Sequence, residues 1–329
     1  MKKILSILLC LMLCSCGNST ESSSQVESSS KVVTSSAISE EINEFKPITF
    51  TDDNGREVII NKKPQRVAVL IGSFSDVWCL AGGKDTLVAA AGDTWTQFDL
   101  NLSEDVVNLG SVKEPNIEAL LGAEPDFVIG STKTAADVAM TEMLDEMNIP
   151  SALFNVSSFD DYLRMLKICT DITGDSDSYQ KYGTAIQSQV DKAKSRKSDK
   201  APTVLYIRAS GSSCKVKNSQ NSVLGEMLAD MGCINIADSE TGLLEELSME
   251  TIIAQDPDYI FAVLQGSDIS KPQANLEKAL LSDPAWESLT AVKEGHFHLM
   301  DQKLFNLKPN AKWGESYEIL ADILYPEEN

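Results

Sequence analysis

Residues 116–129 read NIEALLGAEPDFVI, and residues 248–261 read SMETIIAQDPDYIF. The two stretches align without a gap at a constant offset of 132 residues (250 − 118). Each begins with a residue that can cap a helix, Asn116 or Ser248, whose side-chain oxygen accepts from free N–H groups of the first turn. A Glu follows two positions later, then a short apolar helical run. An acidic-Pro-Asp stop ends the run, because proline disfavours helix at the residue before it. A short apolar strand follows. A period this long excludes a solenoid. It describes two lobes of similar build.

The flanking sequence repeats one rhythm. Arg66–Ile71 (RVAVLI) is a continuous apolar run suited to a strand buried on both faces. Gly72-Ser73 opens a helical pattern through Val77, Trp78, Leu80 and Ala81, closed by Gly82-Gly83. Further strands are predicted at 87–91, 126–130 and 151–154, then at 203–207, 234–236, 258–263 and 297–300. Strands alternating with helices argue for parallel sheets in an α/β fold. Between the repeats, Phe159–Ile172 carries an apolar stripe. Ser176–Lys197 places Tyr179, Tyr182, Ile186, Val190 and Ala193 on another, which predicts one long helix of about 33 Å joining the lobes.

The 329 residues carry 28 Lys+Arg against 49 Asp+Glu, a formal charge of −21, with two His. That charge argues against a nucleic-acid partner, whose phosphate backbone needs a basic face, and against polybasic adhesion to anionic lipid. At 43% hydrophobic residues a true core is available. No G-x-S-x-G, H-E-x-x-H or phosphate-loop motif is present, so an enzyme is not expected, nor a resident cofactor. Met1-Lys2-Lys3 followed by an apolar run, Ile4–Leu13, is too short to span a bilayer and suits a signal-peptide core. It ends in Leu13-Cys14-Ser15-Cys16, similar to a bacterial lipobox, which implies lipidation at Cys16. The expected organisation is signal 1–15, Ser-rich tether 16–46, N-terminal lobe 47–175, connecting helix 176–199 and C-terminal lobe 200–329. Cys79, Cys169, Cys214 and Cys233 lie outside the leader and show no metal-binding spacing; export permits disulfides, and sequence leaves their pairing open.

Four blocks, ITFTDDNGREVIINKKPQRVAVL, GSVKEPNIEALLGAEPDFVI, CINIADSETGLLEELSMETIIAQDPDYIF and KPNAKWGESYEILADILYPE, together resemble the substrate-binding lipoproteins of ABC importers for iron complexes, haem and cobalamin. The resemblance covers about residues 47–326. It implies two Rossmann-like three-layer lobes joined by a single long helix, with the ligand in the cleft between them. It also implies a monomeric protein, tethered outside the bacterial membrane, that hands a metal chelate to a permease dimer driven by an ATPase. In such proteins a surface Glu on each lobe docks on Arg pockets of the two permease subunits. The matching positions are Glu118 and Glu250.

Ligands of open α/β sheets bind beyond the carboxyl ends of the strands. Loops there nominate Phe74, Trp78, Thr94, Trp95, Lys113 and Ser131 in the first lobe. In the second they nominate Arg208, Ser210, Lys215, Gln265, Lys303, Phe305 and Lys308. Aromatics suit a flat macrocycle, and Arg and Lys suit its carboxylates. Beyond the leader there are five Arg, and only Arg208 falls at a cleft loop, which disfavours a trianionic catecholate siderophore. A haem site wants an axial His, Met or Tyr. His296 and His298 sit in GHFHL, an alternation that reads as an edge strand with both rings on one face. The ligand is therefore expected to be a ferric siderophore or haem, with cobalamin, which needs no protein ligand to cobalt, as the alternative.

Overall fold

The structure, a computed structural model, describes residues 45–266 and 268–327. Cys16, the signal segment and most of the tether lie outside them. The chain opens with a hairpin, β1 (Ile48–Thr51) against β2 (Glu57–Ile60). The buried Asp52 carboxylate accepts from the Asn54 and Arg56 amides within the hairpin loop and from the Leu153 amide outside it. That last bond ties the hairpin to the edge of the first sheet, which would otherwise offer unpaired backbone. Alternation in this hairpin was not read from the sequence.

The first sheet contains β3 (Val67–Val69), β4 (Leu87–Ala90) and β5 (Val107–Asn108). A short ribbon, β6 (Gly110–Ser111) and β7 (Glu114–Pro115), follows. The sheet is completed by β8 (Phe127–Ser131) and β9 (Ser151–Phe154). Its order is β5-β4-β3-β8-β9, and every pairing is parallel. The second sheet is built from β10 (Thr203–Ser210), β11 (Cys214–Lys217), β12 (Ile234–Asn235), β13 (Tyr259–Gln265) and β14 (Phe297–Met300). Its order is β11-β10-β13-β14 with β12 also on β10, and only β11 is antiparallel. In each sheet the starting strand has its neighbours on opposite sides: β3 lies between β4 and β8, and β10 lies between β11 and β13. The crevice at such a switch point is where α/β sheets hold ligands.

The internal repeat has a structural basis beyond its helix and strand. Asp126 accepts from the Gln65 and Arg66 amides at the entry to β3, and Asp258 accepts from the Thr203 amide at the entry to β10. Glu124 and Asp256, which match in the repeat, both turn the chain through positive φ (47° and 38°) just before proline. The acidic-Pro-Asp signature thus ends a helix and fixes the start of the neighbouring strand in both lobes.

The core is organised as a shared spine with two private faces. One buried cluster takes in Val67, Phe74 and Phe127 from the first lobe, Val204, Tyr206 and Phe261 from the second, and Ile186, Trp313 and Tyr317 from the helices between. Separate clusters lie on the outer faces, around Val128 and Leu144 and around Ile207 and Trp286. The connector is helical from Ser176 to Lys194, but it carries a π-turn at Gln180–Thr184 and stops at Lys194 rather than continuing to 199. It is not alone. The C-terminal helix Trp313–Leu324 packs along it in the same direction, with Gly314 beside Gln189 and Arg196 paired to Asp322, and Trp313 reaches Phe159 and Tyr162 of the helix Phe159–Thr173 (ring centroids 5.8 and 6.3 Å). The end of the segment assigned by sequence to the second lobe therefore packs into the spine.

All four described cysteines are free thiols; burial pushes that of Cys79 up to about 12, away from reactivity. His298 is on the edge strand β14. Its ring stacks on Phe261 (5.6 Å), and that of His296, just before the strand, stacks on Tyr259 (4.3 Å). Among the described residues no helix is long and apolar enough to cross a membrane.

One glycine is fixed by packing. Gly83 lies flat against the buried Trp78 ring, whose Nε1 donates to Thr86 Oγ1 at 3.1 Å, and a Cβ on Gly83 would overlap the indole. Gly83→Ala should lower stability by about 1–3 kcal/mol, the usual cost of overpacking. A melting temperature equal to wild type would show that the indole can move aside.

Candidate functional site

Beyond the carboxyl ends of both sheets lies a cavity of about 320 Å³. The first lobe contributes Lys133, from the loop after β8, and Asn155 to Ser157, from the loop after β9. The second contributes Arg208 from β10, Asn221 to Val223 at the start of the helix Val223–Asp230, and Asn306 and Lys308 from the segment after β14. It is the inter-lobe cleft. Lys133 Nζ donates across it to Asn221 Oδ1 at 3.0 Å, and Arg208 Nη1 reaches Asn306 Oδ1 at 3.5 Å.

The charge of this cleft is opposite to that of the whole protein. Burial holds the partly buried Lys308 ammonium below the ordinary lysine range; Asp93 opposes that shift, while Arg208 and Lys133 add to it. Arg208 stands opposite Lys215 across the β10–β11 pairing, and Lys217 is lowered by burial and by both of these cations. Cations placed this closely repel one another until an anion joins them. The lining has amides, hydroxyls and three cations, with no aromatic ring, His, Met or Tyr. Among the described residues no group of three or more His, Cys, Asp or Glu side chains is placed to hold a bare metal ion. The arrangement fits an oxygen-rich anion.

Of the nominated residues, Arg208 and Lys308 line this cavity. Phe74, Trp78 and Phe305 do not, since each is 1% exposed in the spine. Phe74 meets Phe154 edge-on and Trp78 packs on Phe127. Their spacing along the helix Gly72–Trp78 turns them to the sheet, so their proximity to a strand end was misleading. Thr94 is buried too. The β3 and β4 loops are joined there, with Asp93 Oδ1 accepting from the Gly72 amide (2.8 Å) and Thr94 Oγ1 beside Ser75 Oγ (3.2 Å). Ser131 is buried, and its hydroxyl accepts from the Lys133 amide. Ser210 is spent on the β10–β11 turn, where its hydroxyl caps the Ser213 amide. Trp95 is 41% exposed on the short helix after β4. Lys113 (in the β6–β7 turn), Lys215, Gln265 and Lys303 are exposed and outside the cavity lining. Lys133, Asn155, Ser157, Asn221 and Asn306 were missed. Lys133 was within reach of the same rule, two residues past the nominated Ser131.

Glu118 and Glu250 are exposed at the second position of the helices Ile117–Gly122 and Met249–Gln255. Asn116 caps the first helix through the Ala119 amide (3.0 Å), and Ser248 caps the second through the Thr251 amide (3.3 Å). Each helix runs directly back to the amino end of the next strand, β8 or β13. Each Glu is therefore carried at the carboxyl-end side of its sheet, the side that holds the cleft.

Two lobes around a polar, cationic cleft suit the capture of a solute. Residues 67–304 match the family model described as periplasmic binding protein, and the chain belongs to that family. It is a substrate-binding protein of ABC transporters and not an enzyme. A Bacillus subtilis (strain 168) relative named probable siderophore-binding lipoprotein YfiY is 25% identical over 92% of this chain and 91% of its own. Among solved structures, Staphylococcus aureus SirA complexed with staphyloferrin B superposes with a TM-score of 0.63 at 21% identity, covering 84% of this chain and 97% of that one. S. aureus IsdE complexed with heme superposes at 0.64 and 16% identity, covering 79% and 98%. These likenesses show the fold.

Proposed function

We propose that the protein captures an anionic ferric chelate, a siderophore with outward carboxylates, in the inter-lobe cleft. It then passes the chelate to a two-subunit permease that grips Glu118 and Glu250. The observation that carries this reading is the meeting of Lys133, Arg208 and Lys308 in one cavity of a strongly acidic protein. Charge-assisted hydrogen bonds from such groups to carboxylate are about twice as strong as neutral ones. The iron comes from the relatives, whose names include a siderophore-binding lipoprotein and an iron-uptake system-binding protein. Haem is the weaker choice, because the cavity lining offers no axial His, Met or Tyr. Lipidation at Cys16 would keep the protein at the outer face of the cell membrane, in line with the relatives named lipoproteins.

A thermal-shift panel tests the reading. Ferric citrate, a ferric hydroxamate, a ferric catecholate, haem and cobalamin are each added in excess. A ligand bound only by the folded state stabilises it by RT ln(1 + [L]/Kd), about 2.7 kcal/mol at 100 times Kd. The carboxylate chelate should give the largest rise in melting temperature. A rise with haem or cobalamin alone, or with none of the five, overturns the proposal.

A further inference from the structure

The loop that carries Lys133 is held by a carboxylate that takes no part in the cleft itself. Asp137 lies in the first turn of the helix Ala135–Glu146 and is 1% exposed. Its Oδ2 accepts from the Ser131 amide at 2.8 Å, and its Oδ1 is buried with no hydrogen-bond partner. From there a short chain of bonds leads outward. Ser131 Oγ accepts from the Lys133 amide (3.2 Å), Ser131 O accepts from the Thr134 amide (3.2 Å), and Lys133 Nζ reaches Asn221 on the other lobe. Gly130 leaves room for this: a Cβ there would stand 2.9 Å from Leu153 Cδ2 and 3.1 Å from Asp137 Oδ2.

We propose that Asp137 is a positioning residue for ligand capture: as a carboxylate it fixes the Ser131–Thr134 loop so that Lys133 spans the cleft, and on taking up a proton it loosens that hold. The proposal rests on the cleft reading above. An ionised carboxylate makes a stronger acceptor for the Ser131 amide than a neutral acid does. In the neutral acid the proton would sit on Oδ1, which has no hydrogen-bond partner, and so would bury an unpaired O–H. Burial pushes Asp137 up to about 7, and the Ser131 amide pulls it back only in part. The strands packed against it, β8 and β9, face it with Gly130 and Leu153, and no charged side chain shifts it; Lys133 is the charged neighbour on its own loop. The switch therefore operates near neutrality, with Lys133 held above that point and released below it.

The test uses the chain from residue 17 onward, wild type and Asp137→Asn. The amide has a similar shape and keeps an acceptor for Ser131, but it cannot titrate. Amide NMR shifts of Ser131 and Lys133 and the side-chain resonance of Asn221 are followed from pH 5.5 to 8.5, and ferric citrate affinity is measured at pH 6 and pH 8. In wild type the three signals should move together with a midpoint near 7, and affinity should fall about fivefold from pH 8 to pH 6, the low end of ordinary coupling between sites. In Asp137→Asn both changes should vanish. Signals that do not titrate in wild type overturn the proposal, and that arm stands even if the variant fails to fold. Titrating signals with the same affinity ratio in both proteins also overturn it. If ferric citrate binds at neither pH while the signals titrate, the cleft reading has failed, and the role in capture falls with it.

Discussion

A chain carrying both Glu118→Ala and Glu250→Ala is expected to bind its ligand as wild type does and to support no uptake. Both side chains are exposed, away from the cavity lining, and held by capped helices whose folding does not depend on them. Their local contribution, an acidic group near a helix N-terminus, is about 0.3–1 kcal/mol each. At a partner's surface the same groups count for more. Removing one member of a buried, hydrogen-bonded charge pair across an interface costs about 2–5 kcal/mol. The repeat supplies two, one per lobe, matching the two subunits of the proposed permease. Each single variant should retain partial uptake, and the double variant should reach the background of cells lacking the protein. Uptake of radiolabelled iron measures one arm, and ligand titration of the purified protein measures the other. Loss of ligand affinity in the double variant would place these residues in the cleft and sink the docking role. Full uptake would show that the permease grips another surface.

Much of this architecture could be read from sequence because its rules are local. The runs at 151–154 and 297–300 became β9 and β14, and the start of the 203–207 run is the start of β10. Continuous apolar runs bounded by turn residues have few other fates. The hairpin β1–β2 was missed because what holds it is Asp52 reaching Leu153, a contact 101 residues away that no periodicity encodes. The connector was overextended for a related reason. Its apolar stripe was real, but the packing of Trp313–Leu324 along it depends on the whole fold. The site divided in the same way. Arg208 and Lys308 followed from the rule that ligands sit beyond strand ends. Phe74 and Trp78 obeyed that rule as well, yet helical spacing sent them into the spine, and the apolar pattern through Val77, Trp78 and Ala81 already pointed that way for Trp78. Lys133 and Asn221 face each other only because two lobes close, and proximity across a cleft has no signature in one dimension.

The shared spine bears on how the protein works. A single buried cluster joins both sheets to the two helices between them, and Asn310 Nδ2 donates to Ser73 O and Asp76 Oδ2, both at 2.8 Å, binding the C-terminal segment to the first lobe. Packed cores resist continuous deformation. Ligand exchange should therefore depend on loops and side chains at the cleft mouth more than on rotation of whole lobes, which is where Lys133 and Asn221 meet.

Reversing the charge of the cleft should then have the larger effect on capture. Arg208→Glu with Lys308→Glu is expected to reduce affinity for an anionic ferric chelate on the order of 100-fold or more, since each charged hydrogen bond contributes about 1.5–3 kcal/mol and like charges replace them. Lys308→Gln alone should cost less while also relieving the crowding that holds its neighbours apart. The pH profile separates the parts. The folded Lys308 is held below its ordinary range by burial, so it surrenders its proton at a lower pH than a free lysine would. Wild-type affinity should thus decline on the alkaline side as Lys308 becomes neutral. An anion bound beside it raises that pKa and so delays the decline. Lys308→Gln should lose this alkaline limb while keeping the one near neutrality that depends on Asp137. The same substitution also removes a cation that costs energy to bury in the empty protein, so the unliganded variant should melt no lower than wild type. Isothermal titration across pH 6 to 10 and melting curves without ligand measure both effects. Undiminished affinity in the charge-reversed double variant would exclude this cavity as the ligand site, whatever the ligand proves to be.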